Sequence, residues 1–424
     1  MSIVLPKLIE VTQTYPVSAR LDFHQLLASQ FDQQGLNSKI SPGMSIAVGV
    51  GSRGIANLKE IVETAVGVLI AAGARPFVIP AMGSHGGATP EGQRKVLAEY
   101  GVTEESLGVP IEAGMEVEKI GTALGGRDVV FSSRALQADG VVVINRVKPH
   151  TDFRGTLGSG LQKMLTIGFG KQIGAANTHR AAAHVGHETA IREFAKVIFE
   201  NVRVLCGIAI LEDQHHQTAE LNVLGPEAIV SEEPVLLNRA RALMPRLPLD
   251  EIDLLIVDEI GKEISGTGMD TNIIGRDIVG YSTSLRNGNG ATPHIARIFV
   301  RNLSRATNGN GIGIGLADFT TDRAVKALDL AYMYINATTS IGLHPAKIPI
   351  HFPSDREAIS EAVATLACSD PDKVRLVRIA NTLSLERMLV SECCSEIVKT
   401  RPGVSSRGPG RAIEFDQDGN LLPF

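Results

Sequence analysis

The stretch Gly140-Val141-Val142-Val143-Ile144-Asn145-Arg146-Val147-Lys148-Pro149-His150 decides the fold. Its first half is a β-branched run without polar alternation, the pattern of a strand buried on both faces of a parallel sheet. Pro149 keeps the chain extended after the strand and leaves His150 outside any helix. The polar residues therefore lie beyond the strand's carboxyl end, where open α/β sheets bind their ligands. Further along come Gly158-Ser159-Gly160, then Lys163 and, sixteen residues after it, His179 within Thr178-His179-Arg180. One short segment thus carries an acid/base candidate, an amine and a second imidazole.

Outward from this segment, strands are predicted at 45–50, 76–80, 141–145 and 204–211, alternating with helical patterns. Leu58, Ile61, Val62, Ala65 and Leu69 recur at helical spacing and Gly73 closes them, which gives a βαβ unit. A second such helix spans 188–201. The segment 231–250, with Glu232-Glu233-Pro234, Pro245 and Pro248, interrupts the pattern and marks a boundary. A second α/β unit then opens with a strand at 253–258, a glycine-rich loop at 261–275 and helices near 323–335 and 355–366. Gly408-Pro409-Gly410 and Asp418-Gly419-Asn420 suggest a hairpin or an arm returning to the first domain. The expected architecture is α/β: residues 1–245 as a cofactor-binding domain, 250–424 as a second α/β domain, and a cofactor and substrate cleft between them.

A chain of 424 residues exceeds the usual size of one core. Its formal net charge of −5 offers no excess of base to hold a nucleic acid. Aromatics are 4% with no tryptophan, which argues against base-stacking platforms and aromatic sugar grooves. Small polar anions fit better. Met1-Ser2-Ile3-Val4-Leu5-Pro6-Lys7 has no basic region followed by an apolar core, and no run is long enough to span a bilayer, so a cytoplasmic location without membrane contact is expected. Cys206, Cys368, Cys393 and Cys394 have no Cys-x-x-Cys spacing, which indicates neither a disulfide scaffold nor a thiolate metal site.

Several constellations could carry chemistry. In Gly49-Val50-Gly51-Ser52-Arg53-Gly54, backbone N–H groups and a helix end can hold a phosphate with Arg53 as clamp, although a tight turn also needs these glycines. Gly83-Ser84-His85-Gly86-Gly87 sits above a helix opened by Thr89-Pro90-Glu91. There His85 is a proton-exchange candidate or a plain surface histidine. His85 and His150, on neighbouring strand ends, suit a reaction that handles both mirror forms of one small substrate. Lys163, between Leu161 and Met164-Leu165, reads as a partly desolvated amine able to act as nucleophile or attachment point, or else as an ordinary solvated lysine. His179, His184 and His187 do not reproduce HExxH spacing, which counts against a zinc protease. In the second unit, Lys262 could hold a carboxylate, and Arg276, Asn287 and Asn289 are further polar candidates.

Taken together, Ser52-Arg53, Gly83-Ser84-His85, Lys148-Pro149-His150, the Gly-Ser-Gly before Lys163, and His179 resemble the nickel-pincer-dependent lactate racemase family over about residues 45–185. The resemblance implies that Lys163 tethers a pyridinium-derived mononucleotide through a thioamide, the cofactor carrying a second, thiocarboxylate sulfur. It also implies that His179 ligates nickel alongside two cofactor sulfurs and a ring carbon, a donor set that suits square-planar nickel. Gly51, Ser52, Arg53 and Gly54 would hold the cofactor phosphate. His85 and His150 become paired acid/base groups that serve hydride removal from, and return to, C2 of a 2-hydroxy acid.

The implied activity is a racemase or epimerase. The implied partners are a small 2-hydroxy acid and the proteins that build the cofactor, with homo-oligomerisation left open. Val50 stands where the family's racemases carry aspartate, and the stretch from His150 to Lys163 is longer and contains Asp152 and Arg154. A cation at Arg154, with Lys262 on the substrate carboxylate, favours a larger polar acid over lactate. Two other readings stand beside this one: a Schiff-base lyase or aldolase using Lys163, and a non-catalytic carboxylate-binding protein.

Overall fold

In the computed structural model, which describes residues 4–51, 54–276, 293–339, 342–366, 368 and 370–424, the β-branched runs form two separate sheets. Two units result. One comprises Val17–His150 and Arg154–Met244; the other comprises the segment ending at Pro16, Thr151–Phe153 and Pro245–Phe424. The architecture is mixed α/β in both.

The first unit holds five strands in the order Arg75–Pro80, Ser45–Val50, Gly140–Arg146, Val204–Glu212, Thr218–Leu224. The first four are parallel and the last is antiparallel. Successive side chains of a strand face opposite sides, and the core follows this rule. Val48, Val50, Val142 and Ile144 pack with Ile61, Val62 and Leu69 of the Leu58–Ala71 helix. Ala47, Val141 and Val143 pack on the other side with Leu161, Leu165, Phe169, Phe194 and Leu237. Strand order reverses its direction of growth between Ser45–Val50 and Gly140–Arg146, the position at which open α/β sheets bind ligands beyond the carboxyl ends of their strands. Gly51 and Lys148-Pro149-His150 follow those ends directly.

The segment 231–250 is not interrupted throughout: its first half is helical, and the unit ends at Met244. One helix runs from Pro226 to Leu243, straight through Pro234. A proline inside a helix costs about 3 kcal/mol. Leu236 and Leu237 are 2% and 0% exposed, and burying a leucine contributes about 1.5–3 kcal/mol each. Tertiary packing therefore outweighs the local breaker.

The second unit holds eight strands in the order Ile350–Phe352, Phe319–Thr321, His294–Leu303, Glu251–Ile260, Leu376–Ile379, Arg387–Ser391, Leu8–Gln13, Val404–Arg411. The amino-terminal strand, grouped by sequence with residues 1–245, lies here between two carboxyl-terminal strands and antiparallel to both. The carboxyl arm is the last of these strands and pairs with residues 8–13. Leu8, Ile9 and Val11 are buried, so an isolated strand would expose an apolar edge that this pairing covers. Asp418-Gly419-Asn420 forms the expected turn, with the Asp416 N–H donating to the Asn420 carbonyl at 2.8 Å and Gly419 at φ +80°. No helix among the described residues is long and apolar enough to cross a membrane.

Removing residues 1–16 should abolish amide-exchange protection in 404–411 and reduce it in 387–391, which keeps its pairing with 376–379, while leaving the strands at 45–50 and 140–146 protected. Hydrogen exchange with peptide-level mass spectrometry checks this.

Candidate functional site

The Gly140–Arg146 strand does not stop cleanly. The Lys148 N–H donates to the Ser159 carbonyl and the Ser159 N–H returns the bond to Lys148, both at 2.8 Å. This antiparallel bridge closes the loop that begins at the strand end. Gly158 is required there, because a Cβ would run into the Lys148 carbonyl oxygen. Asn145 fixes the return by donating from Nδ2 to the Gly160 carbonyl at 3.0 Å.

The chain then enters a short helix, Leu161–Lys163, that passes into a π-turn, Met164–Gly168. Insertions of this kind recur at functional sites. Leu161, Met164 and Leu165 are buried while Lys163 is half-buried, as its apolar neighbours suggest. The closed loop and the helix bring His150 Nε2 to 2.6 Å from Lys163 Nζ. With the lysine charged, the ammonium donates and the neutral ring accepts; with the amine neutral, the ring can hold the proton.

At the neighbouring strand end, Gly51 is buried, and a Cβ there would crowd Met164 Cε at 3.1 Å and Asn145 Oδ1 at 3.3 Å. Gly54 is exposed and its carbonyl accepts from Arg146 Nη1 at 3.3 Å. Arg146 also pairs with Glu212, whose Oε1 accepts the Ala56 N–H at 2.7 Å. Three strand ends are thereby tied around one turn. Ser52 and Arg53 lie outside the described residues, as do Asn287 and Asn289.

His85 is exposed, in the loop after Arg75–Pro80. Thr89 caps the following helix, accepting the Gly92 N–H at 3.1 Å. Two residues that sequence reasoning missed hold this loop from below. Lys171, fully buried, donates from Nζ to the Pro80 carbonyl at 2.8 Å and to Gln93 Oε1 at 3.3 Å. Buried Gln93 donates from Nε2 to the carbonyls of Gly83 at 3.0 Å and His85 at 3.3 Å. Burial lowers Lys171 to about 8, with Glu116 pulling the other way.

His179 is half-buried on the Lys171–Val185 helix, edge-on to His187 with ring centroids 5.7 Å apart, whereas His184 is exposed. Among the described residues no group of three His, Cys, Asp or Glu forms a ready metal cage.

Arg154 is exposed; it follows directly on Thr151–Phe153 and adjoins Arg241, which donates to the Gly155 carbonyl. In the second unit, Lys262 donates from Nζ to the Gly266 carbonyl of its own loop at 2.7 Å. Arg276 is buried and bonded to Asp318 at 2.6 Å and to the Leu316 carbonyl, so its visible work is structural.

Residues 51–242, a little under half of the chain, match a family described as a domain of unknown function, DUF362. No curated protein matches. Among solved structures, the lactate racemase apoprotein from Thermoanaerobacterium thermosaccharolyticum is similar at 11% identity, over 69% of this chain and 74% of that one, with a TM-score of 0.45. A likeness of that degree assigns no residue and no activity to this chain.

Lys171 has a depressed folded value, so the unfolded chain binds more protons between about pH 8 and the ordinary lysine range. Its contribution to stability therefore rises with pH across that window. The unfolding free energy of the native protein relative to Lys171→Met should increase between pH 8 and about 10.4. The variant should also lose exchange protection at 83–88. Urea unfolding at stepped pH, with peptide-resolved exchange, tests both.

Proposed function

We propose that this protein is an isomerase that inverts C2 of a polar 2-hydroxy acid, using a nickel-pincer nucleotide tethered to Lys163. The observation that carries the reading is the 2.6 Å contact between Lys163 Nζ and His150 Nε2 beyond a parallel strand's carboxyl end. It supplies an amine in apolar surroundings with a proton acceptor already beside it. The motif resemblance over 45–185 supports the same assignment.

The donor chemistry fits the group. Lys163 offers an amine for acylation, and His179 offers one half-buried imidazole where soft cofactor sulfurs would complete a nickel site. When bound, the cofactor supplies a reversible hydride acceptor. Everything else falls to the chain. His150 can take the proton that Nζ must lose to become nucleophilic. An acylated Nζ is no longer basic, so the ring is then released to exchange a proton with the substrate hydroxyl. His85 is the acid/base group for the other enantiomer, held by a loop whose carbonyls are fixed through Gln93. Gly51 and Gly54 belong to the turn that would receive the phosphate, and Arg154 would select a substrate bearing extra negative charge, such as a dicarboxylate or sugar acid.

The same amine and imidazole also suit Schiff-base chemistry, in which Lys163 attacks a keto acid and His150 moves the proton. Borohydride trapping of substrate on Lys163 in metal-free protein would favour that route.

On co-expression with cofactor-making proteins, the chain should carry a nickel-bearing adduct that disappears in Lys163→Ala. His179→Ala should keep the adduct and lose the nickel. His85→Ala should keep both and lose roughly 10²–10⁴ in turnover. Intact mass, metal quantitation and a screen of 2-hydroxy acids read these outcomes, and full activity in either Lys163→Ala or His179→Ala would end the proposal.

A further inference from the structure

The helix that presents Lys163 begins without a cap of its own. Gly160 stands at its N-cap in extended conformation and offers no side chain to the first turn. Orphan N–H groups at a helix start need an acceptor, and here the acceptor comes from elsewhere in the chain. Glu233, on the Pro226–Leu243 helix, is 1% exposed. Its Oε2 accepts the Gln162 N–H at 3.1 Å and Gln162 Nε2 at 3.2 Å. The other oxygen fills the space of a missing Cβ: at Gly160 the three nearest atoms that a Cβ would meet all belong to Glu233.

We infer that Glu233 is a positioning residue for Lys163, its carboxyl setting the start of the helix and hence the placement of Nζ against His150. This deepens the function proposed above, since it concerns the same amine. Three features support it. An acidic side chain is almost never fully buried unless paired, and the partners of Glu233 are the backbone and side chain of Gln162 at the start of the Lys163 helix. Glu233 keeps its place although Pro234 follows it within the helix. The carboxyl also matches a glycine whose replacement it forbids. Burial pushes Glu233 up to about 7, against the pull of its bonds from Gln162 and Leu161 and of the Arg192 charge. A carboxyl that is partly protonated near neutrality still accepts from Gln162 through its carbonyl oxygen, so the placement does not require a buried full charge.

The test reads Lys163 directly in the full chain without cofactor. Acetylation by a small acylating reagent is followed across pH by peptide mass spectrometry. Glu233→Met should change the Lys163 rate about fivefold and displace its pH profile, the effect of losing one cap, while Glu233→Gln stays close to the native protein. Glu233→Asp, which withdraws the carboxyl by one methylene and keeps the charge, should fall between them and serves if the methionine variant fails to fold. Gly160→Ala should mimic Glu233→Met. Adding Gly160→Ala to Glu233→Ala should bring little further change, because the clash partner is already gone. A folded Glu233→Met or Glu233→Asp protein with the native Lys163 profile overturns the inference. So does an additive double variant. Acetylation needs no nickel, so failure here and failure of cofactor loading are separate results.

Discussion

Two backbone hydrogen bonds, exchanged between Lys148 and Ser159, are the constraint on which the candidate site depends. They turn a chain leaving a strand into a closed loop, and they require glycine at 158 because the carbonyl of Lys148 occupies the space of its side chain. Closure returns the chain to the sheet at Gly160 in a fixed register. Only then can an imidazole at the loop's start meet an amine thirteen residues later. Without the bridge, His150 and Lys163 would be linked by a flexible loop whose conformational freedom opposes a single close contact.

Behind the reactive side chains lie ionisable groups that no solvent reaches. Lys171 fixes the Pro80 carbonyl and the Gln93 side chain under the His85 loop, and Glu233 meets the helix of Lys163. Neither sits in a simple buried ion pair. A hydrophobic side chain of similar size would avoid the desolvation penalty, so the persistence of charge-capable groups here needs a local return. That return is directional bonding to backbone atoms that packing alone would leave loose. Both loops are held by a long polar side chain reaching in from a neighbouring helix.

Much of this was legible in the sequence, for definable reasons. Strands at 45–50, 75–80, 140–146 and 204–212 declare themselves through largely apolar runs, and the first three place Gly51, His85 and His150 beyond one sheet edge. The apolar neighbours of Lys163 foretell its half-burial. Lys171 and Gln93 were illegible because such residues are ordinarily solvated, and nothing local distinguishes a buried one. Pro234 makes the sequence around Glu233 look like a break, whereas the buried leucines that offset it act through tertiary contact. The position of Leu8–Gln13 depends on partners at the opposite end of the chain, a relation that no window along the sequence contains.

That last pairing bears on how the molecule is made. Every strand of the five-stranded sheet is synthesised by Leu224, so that sheet can assemble while the remainder is still on the ribosome. The eight-stranded sheet cannot follow suit, since the slot for Leu8–Gln13 exists only once 387–391 and 404–411 have emerged. Contacts of such long sequence separation form slowly. Leu8–Gln13 is therefore made before its partners yet docks only after both have emerged, and until then Leu8, Ile9 and Val11 travel without the cover they have in the folded sheet.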